Sequence, residues 1–261
     1  MKGVATLYDF VGKVVVITGG SRGIGRAIAL ALAQEGARVS ICARTPEQLE
    51  QSTAELHAAG HEIFSTPADI TDHAQASGWI RSTAAHWGGI DILVNNAGGA
   101  VVGTLAALPD AAWQESFATN FFAPVALSRV AAAEMERRGG GTIINISSIY
   151  GREAGGPIAY NAAKSALISM TKMLAREFAP KSIRVNSVAP GSIIYPGGVW
   201  EQIFKENPEF ERDFITHDFP AGRLGRPEEV AYAVVMLASP KASWITGATV
   251  PVDGAQGRSL I

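Results

Sequence analysis

The chain has 261 residues, 47% of them hydrophobic, with 22 lysines and arginines against 24 acidic residues and a formal net charge of −2. That length and apolar content suit the core of one α/β domain, and the near-balanced charge leaves no basic stripe to hold a nucleic-acid backbone, so no nucleic-acid partner is expected. One cysteine, Cys42, excludes an internal disulfide, and with neither a charged-then-apolar leader nor a run of about 18 apolar residues the expectation is a soluble cytoplasmic protein with no membrane partner.

From the amino end, a β-branched apolar run at 13–18 is followed by helical periodicity at 24–34. The alternation repeats at 38–42 and 46–59, at 62–65 and 73–86, at 90–94 and 110–138, and at 142–146 and 159–179; a sixth run lies at 183–188. Several of the helical segments open on Thr, Asp or Pro, residues suited to a helix start. Strands alternating with helices predict a single α/β domain over 1–261, a doubly wound parallel sheet covered on both faces. The pattern lapses at 192–222, an aromatic-rich stretch before another helix near Pro227. This insertion is expected to be a short helical lid after the sixth strand.

The first predicted strand runs into Thr18-Gly19-Gly20-Ser21-Arg22-Gly23-Ile24-Gly25 and then a helix. Backbone amides and the positive end of the helix dipole would meet a pyrophosphate there, and glycine at 19 and 25 permits close backbone approach. A glycine-rich turn alone is a weak signal, but its place in the first βα unit strengthens it. The spacing resembles the Thr-Gly-x-x-x-Gly-x-Gly of the short-chain dehydrogenase/reductase family. The resemblance covers nearly the whole chain: Asn95-Asn96-Ala97-Gly98 follows the fourth strand, Tyr160-x-x-x-Lys164 opens a later helix, and Pro190-Gly191 follows the sixth strand.

This resemblance, of the 3-oxoacyl-ACP reductase-like or secondary alcohol dehydrogenase-like kind, implies a Rossmann-like fold and hydride transfer between a nicotinamide and a ketone or secondary alcohol. It implies cofactor contacts at Gly19, Ser21, Arg22, Gly23, Ile24 and Gly25, at Asp69 and Ile70 near the adenine, and at Asn96, Ala97 and Gly98 beside the ribose. Tyr160, Lys164, Pro190, Gly191 and Ile193 complete the set near the nicotinamide. Read without the family, Asn95 and Asn96 are a turn after a strand.

The end of the second strand bears on which cofactor is used. An acid there would bond the free ribose hydroxyls of NAD, whereas this chain has Ala43-Arg44-Thr45. Arg44 can grip a 2′-phosphate bidentately, Thr45 adds a hydroxyl, and Arg22 brings a second guanidinium to that side. NADP(H) is favoured. NAD(H) stays usable if Arg44 only stacks on the adenine or is solvated.

Reduction of a ketone builds negative charge on oxygen, so a proton donor and hydrogen-bonding groups must lie close to it. Tyr160 and Lys164, four apart, share a helix face, and the ammonium is expected to lower the phenol's pKa. Alone, such a pair is common on solvated helices. In the family the serine at the fifth strand's end bonds the substrate oxygen and an asparagine on the preceding helix helps hold the lysine and a relay water; these match Ser148 and Asn120. Ser147 is the alternative to Ser148, and Asn120 would otherwise be a helix-bending core polar group. His57, His61, His73 and His86 read as surface residues and suggest no metal site, while His217 lies in the lid.

The resemblance implies a substrate pocket walled by 192–219, 152–158 and 99–102. Tyr195, Trp200, Phe204, Phe210, Phe214 and Phe219 in the first wall suggest an aromatic lid, although helical aromatics more often pack on their own domain. Gly191-Ser192-Ile193-Ile194-Tyr195 lacks the threonine common in the family, a departure bearing on the nicotinamide contacts. Arg152 and Glu153 could meet a polar substrate, but loop charges are usually solvated. The helices around Asn120 and Tyr160, with Val252-Asp253-Gly254 resembling the family's last strand and turn, point to a homotetramer. The substrate expected is a small carbonyl or alcohol compound. The rival reading is a non-catalytic dinucleotide sensor or scaffold on the same fold.

Overall fold

The computed structural model describes residues 8–260. The apolar runs form parallel strands β1 (Val14–Thr18), β2 (Arg38–Ala43), β3 (Ile63–Pro67), β4 (Ile92–Asn95), β5 (Gly141–Ile146) and β6 (Ile183–Pro190), joined at the edge by β7 (Thr249–Val252). They make one 7-stranded sheet in the order β3-β2-β1-β4-β5-β6-β7. The central strands read as unbroken apolar runs because both faces are covered. Val15 and Ile17 of β1 pack on one face with Ile28, Leu32, Val230 and Val234; Val14 and Val16 pack on the other with Trp79, Ile80, Leu127 and Ala131.

The helices are α1 (Gly23–Gln34), α2 (Pro46–Ala58), α3 (His73–Trp87), α4 (Asp110–Phe117), α5 (Ala123–Arg137), α6 (Ile158–Phe178), α7 (Val199–Glu206), α8 (Pro208–Asp218) and α9 (Pro227–Ala238); α1, α2 and α9 cover the first face and α3, α5 and α6 the second. The α7 and α8 pair occupies most of the aromatic-rich insertion. Among the described residues no helix is long and apolar enough to cross a membrane.

The single helix expected over 110–138 is a correction. It is divided into α4 and α5 by a π-helical turn at Ala118–Phe122, where Ala123 N–H donates five residues back to Ala118 O. Pro124, lacking an N–H, cannot bond the carbonyl four residues earlier, that of Asn120, and its ring crowds that turn. Asn120, at the centre of the widened turn, is fully buried.

The order of strands reverses between β1 and β4, so the carboxyl ends of these two neighbours open the crevice where ligands bind in such sheets. Behind it, Asn95 Nδ2 donates to Ser128 Oγ (3.2 Å) and Asn145 Oδ1 (2.8 Å), and Asn145 Nδ2 donates to Thr171 Oγ1 (2.8 Å). These buried bonds tie β4 to α5 and, through β5, to α6, beneath the residues expected to do chemistry.

Candidate active site

The turn between β1 and α1 is stitched to the end of β4. Thr18 Oγ1 accepts from the backbone N–H of Asn96 and of Ala97, both at 2.9 Å, while Asn96 Nδ2 donates to Thr18 O at 2.8 Å and Gly19 O at 3.3 Å. Gly19 has φ +68°, a region that disfavours side chains. A Cβ on Gly25 would strike the carbonyl of Gly19 and lie 2.5 Å from Asn96 Nδ2. Helix α1 starts beside this turn with no side-chain cap on Arg22 and no acid in its first turn. Its first amides are therefore available to an anion. The turn and these donors fit a dinucleotide pyrophosphate.

At the end of β2, Arg44 is exposed and makes no hydrogen bond or ion pair among the described residues. Thr45 caps α2 with its hydroxyl unused. Arg22 is exposed, with Nη1 donating to Gly197 O at 3.4 Å. Asp69 Oδ1 accepts from Thr71 N (2.9 Å) and Thr71 Oγ1 (2.8 Å), and Ile70 beside it is buried.

The expected catalytic groups meet where β5 ends and α6 begins. Ser147 faces the sheet, its Oγ donating to Val188 O (3.0 Å) and accepting from Ser187 Oγ (2.6 Å). Ser148 is the serine that faces Tyr160. Its Oγ accepts from Tyr150 N (3.1 Å) and makes a hydrogen bond with the Tyr160 phenol. Lys164, 3% exposed, places Nζ 5.5 Å from the centre of the Tyr160 ring and donates to Ile146 O at 2.8 Å. Asn120 Nδ2 donates to Gly99 O (2.8 Å) and Ser116 O (2.9 Å). Gly98 lies between these groups, since a Cβ there would be 2.8 Å from Asn120 Oδ1 and 3.4 Å from Lys164 Nζ.

The phenol's pKa is shifted upward, with no contribution from the lysine among the causes. Burial, the largest cause, pushes Tyr160 above its ordinary 10, the Ser148 hydrogen bond pulls it down, and neighbouring Tyr150 raises it again. Burial also pushes Lys164 down to about 7. Each charged form loses hydration on burial. The phenol therefore keeps its proton at neutral pH.

Gln256 holds the Pro190-Gly191 loop: Ser192 N donates to Gln256 Oε1 (2.7 Å), and Gln256 Nε2 donates to Ser192 Oγ (3.1 Å). Ile193 is 7% exposed and packs its side chain into the core, so only its backbone is left to meet a cofactor. In the following segment, Phe204 and Phe219 are buried with Leu224, Trp200 stacks on Phe214 (4.7 Å), and Phe210 stacks on the other side of the set (5.3 Å). These aromatics pack on one another. His57, His73, His86 and His217 are exposed, and His61 is half-buried.

Sequence reasoning missed the bracing by Thr18 and Gln256 and the position of Tyr150, half-buried with its ring against Gly155 and Gly156. Thr18 stood within the quoted motif. No spacing marks the other two, which reach the site only through tertiary packing.

Comparison with known proteins finds relatives along nearly the whole chain. A family model described as enoyl-(acyl carrier protein) reductase matches residues 19–255. An uncharacterised oxidoreductase of Mycobacterium tuberculosis (strain CDC 1551 / Oshkosh) is 41% identical over 245 residues, covering 93% of this chain and 91% of that protein. The 3-oxoacyl-(acyl-carrier-protein) reductase of Escherichia coli (strain K12) is 38% identical over 247 residues, covering 94% and 98%. The crystal structure of L-sorbose reductase from Gluconobacter frateurii, complexed with NADPH and L-sorbose, superposes with a TM-score of 0.91 at 33% identity, over 96% of this chain and 98% of that one.

Proposed function

The chain belongs to the short-chain dehydrogenase/reductase family of NAD(P)-dependent oxidoreductases, and from that premise we propose that it reduces a ketone with NADPH, and oxidises the alcohol in reverse, with Tyr160 as general acid and base. The observation that carries the reading is the meeting of Tyr160, Ser148 and Lys164 beside a glycine turn with free amide donors. When bound, the nicotinamide supplies the hydride for reduction and accepts it for oxidation.

The residues of this chain do the rest. Gly19, Ser21, Gly23, Ile24 and Gly25 offer backbone to the pyrophosphate, and Arg44 with Thr45 grips the 2′-phosphate. Asn96, Ala97 and Gly98 flank the ribose, and the Pro190, Gly191 and Ile193 backbone flanks the nicotinamide. Lys164 bonds the ribose hydroxyls. Asn120 fixes the Gly99 backbone beside the lysine. Ser148 steadies the carbonyl oxygen, and Tyr160 gives its proton to that oxygen as charge develops, a contribution of about 10²–10⁴-fold. Because the phenol is held protonated, reduction should stay active at neutral pH and oxidation should gain from alkaline pH.

The sugar and the 3-oxoacyl group named for the two relatives support a polar ketone or 3-oxoacyl thioester as substrate class, with residues 192–222 as the lid over it. Exposed Phe122 (54%) and Met173 (63%) near the helices around Asn120 and Tyr160 support a homotetramer, checked by light scattering. The activity is tested by mixing the protein with NADPH and either L-sorbose or a 3-oxoacyl thioester. Nucleotide oxidation that disappears in Tyr160→Phe while binding persists is expected; a Tyr160→Phe variant as fast as wild type would contradict the role.

A further inference from the structure

Immediately after Ile194, Tyr195-Pro196-Gly197-Gly198 forms a tight turn in which Gly198 N–H donates to Tyr195 O at 3.0 Å and Gly197 has φ +72°. Proline then glycine at the two central positions is the pattern of a type II turn. The turn points the Tyr195 ring at Gly23, the first residue of α1. A Cβ on Gly23 would lie 2.7 Å from Tyr195 Cζ and 2.9 Å from both Cε atoms, so the outer half of the ring covers that glycine. A Cβ on Gly198 would also lie 3.1 Å from the same Cζ and Cε2. Two glycines thus clasp one ring, and Gly23 itself has φ +55°.

Two further bonds fasten this turn. Arg22, next to Gly23, donates from Nη1 to Gly197 O, and Gly197 N–H donates to Glu201 Oε2 at 2.9 Å, within the first turn of α7. Helix α7 begins at Val199, directly after the clasp. The start of the 192–222 segment therefore rests on the same turn whose amides would receive a pyrophosphate.

We infer that Tyr195 is a positioning residue of the nucleotide site, its ring clasping the start of the 192–222 segment to the phosphate-binding turn so that nucleotide occupancy and the seating of that segment stabilise each other. The inference rests on the proposed nucleotide site. Two events that share one set of contacts are coupled reciprocally: an anion that orders the Arg22-Gly23 turn orders the clasp, and a seated clasp slows escape of the anion. The ring supplies the contact, so the hydroxyl is dispensable.

The test is NADPH binding and release by stopped-flow fluorescence, with limited proteolysis of the 196–222 region, on wild type, Tyr195→Ala and Tyr195→Phe. Tyr195→Ala is expected to release NADPH about tenfold faster, with most of the affinity loss in the release rate, and to lose the protection that NADPH gives the segment; Tyr195→Phe should match wild type. Should the alanine variant fail to fold, Tyr195→Leu, which keeps an apolar side chain but no flat ring, takes its place with the same expectation. Unchanged release in the truncated variants, or a Tyr195→Phe as impaired as Tyr195→Ala, overturns the inference while leaving the nucleotide site intact. A wild type that binds neither NADPH nor NADH overturns the nucleotide site itself, and the clasp with it.

Discussion

The floor of the site and the 192–222 segment are held in place by different means. The floor lies on central strands whose neighbours are buried on both faces, and its polar residues are locked by short buried bonds running from Asn95 through Asn145 to Thr171. The segment has a small aromatic core of its own around Phe204, Phe214 and Phe219, with Phe210 40% exposed. A group that must be placed within a fraction of an ångström belongs on the first kind of support. A surface that must open and close belongs on the second, where local unfolding costs least.

The largest effect expected from the floor is chemical. Tyr160→Phe should lower kcat about 10²–10⁴-fold while NADPH affinity, measured by fluorescence, stays near wild type. Next is the β2 end, where Arg44→Asp replaces the cation proposed to grip the 2′-phosphate with an anion. NADPH should then bind roughly 10–100-fold more weakly, with NADH gaining, because a charge-assisted bidentate contact becomes a repulsion; unchanged Michaelis constants for both would sink the assignment.

A pair of truncations addresses the comparison directly. Asn145→Ala leaves Asn95 Nδ2 without one of its acceptors and Thr171 without a donor, and should cost about 1–3 kcal/mol of global stability by chemical denaturation. Phe214→Ala should raise substrate KM several-fold with a smaller shift in the global unfolding midpoint, since its loss loosens a local cluster. Equal midpoint shifts would mean that segment and floor unfold as one unit, and the contrast would fail.

The smallest effect is a slope. Lys164 has a folded pKa of about 7 against an ordinary 10.5, so between those values the unfolded chain binds more protons and this residue makes stability rise with pH. Below pH 7 the cost of burying the charge is fully present. Lys164→Met should flatten stability against pH from 7 towards 10, below the range where Tyr160, raised above 10, acts in the opposite sense. An unchanged slope would show that the lysine is hydrated in solution.

The same contrast governs what could be read from the sequence. The strands were legible because burial on both faces demands unbroken apolar runs, and the glycine turn because Gly19 and Gly25 stand where a Cβ would meet β-strand ends. The spacing to Gly151 favours Ser148 over Ser147, and the pleat places them accordingly, turning Ser147 to β6 and leaving Ser148 beyond the strand end. The π-helical turn at Asn120 interrupts what the apolar periodicity presents as one helix over 110–138, and Pro124 beside it is the sequence feature that marks the break. The direction of the Tyr160 shift depends on burial, which sequence does not give. Tyr195, taken as one lid aromatic among several, packs with α1 and not with the others, a distinction made by the turn at Pro196-Gly197.

The most direct test is a paired titration of the wild-type protein with NADPH and NADH, followed by single-turnover reduction of a ketone with the tighter nucleotide in wild type and Tyr160→Phe. NADPH binding about tenfold or more tighter than NADH, with turnover in wild type alone, is the predicted result. Tighter binding of NADH, or turnover that survives the loss of the Tyr160 hydroxyl, would contradict it.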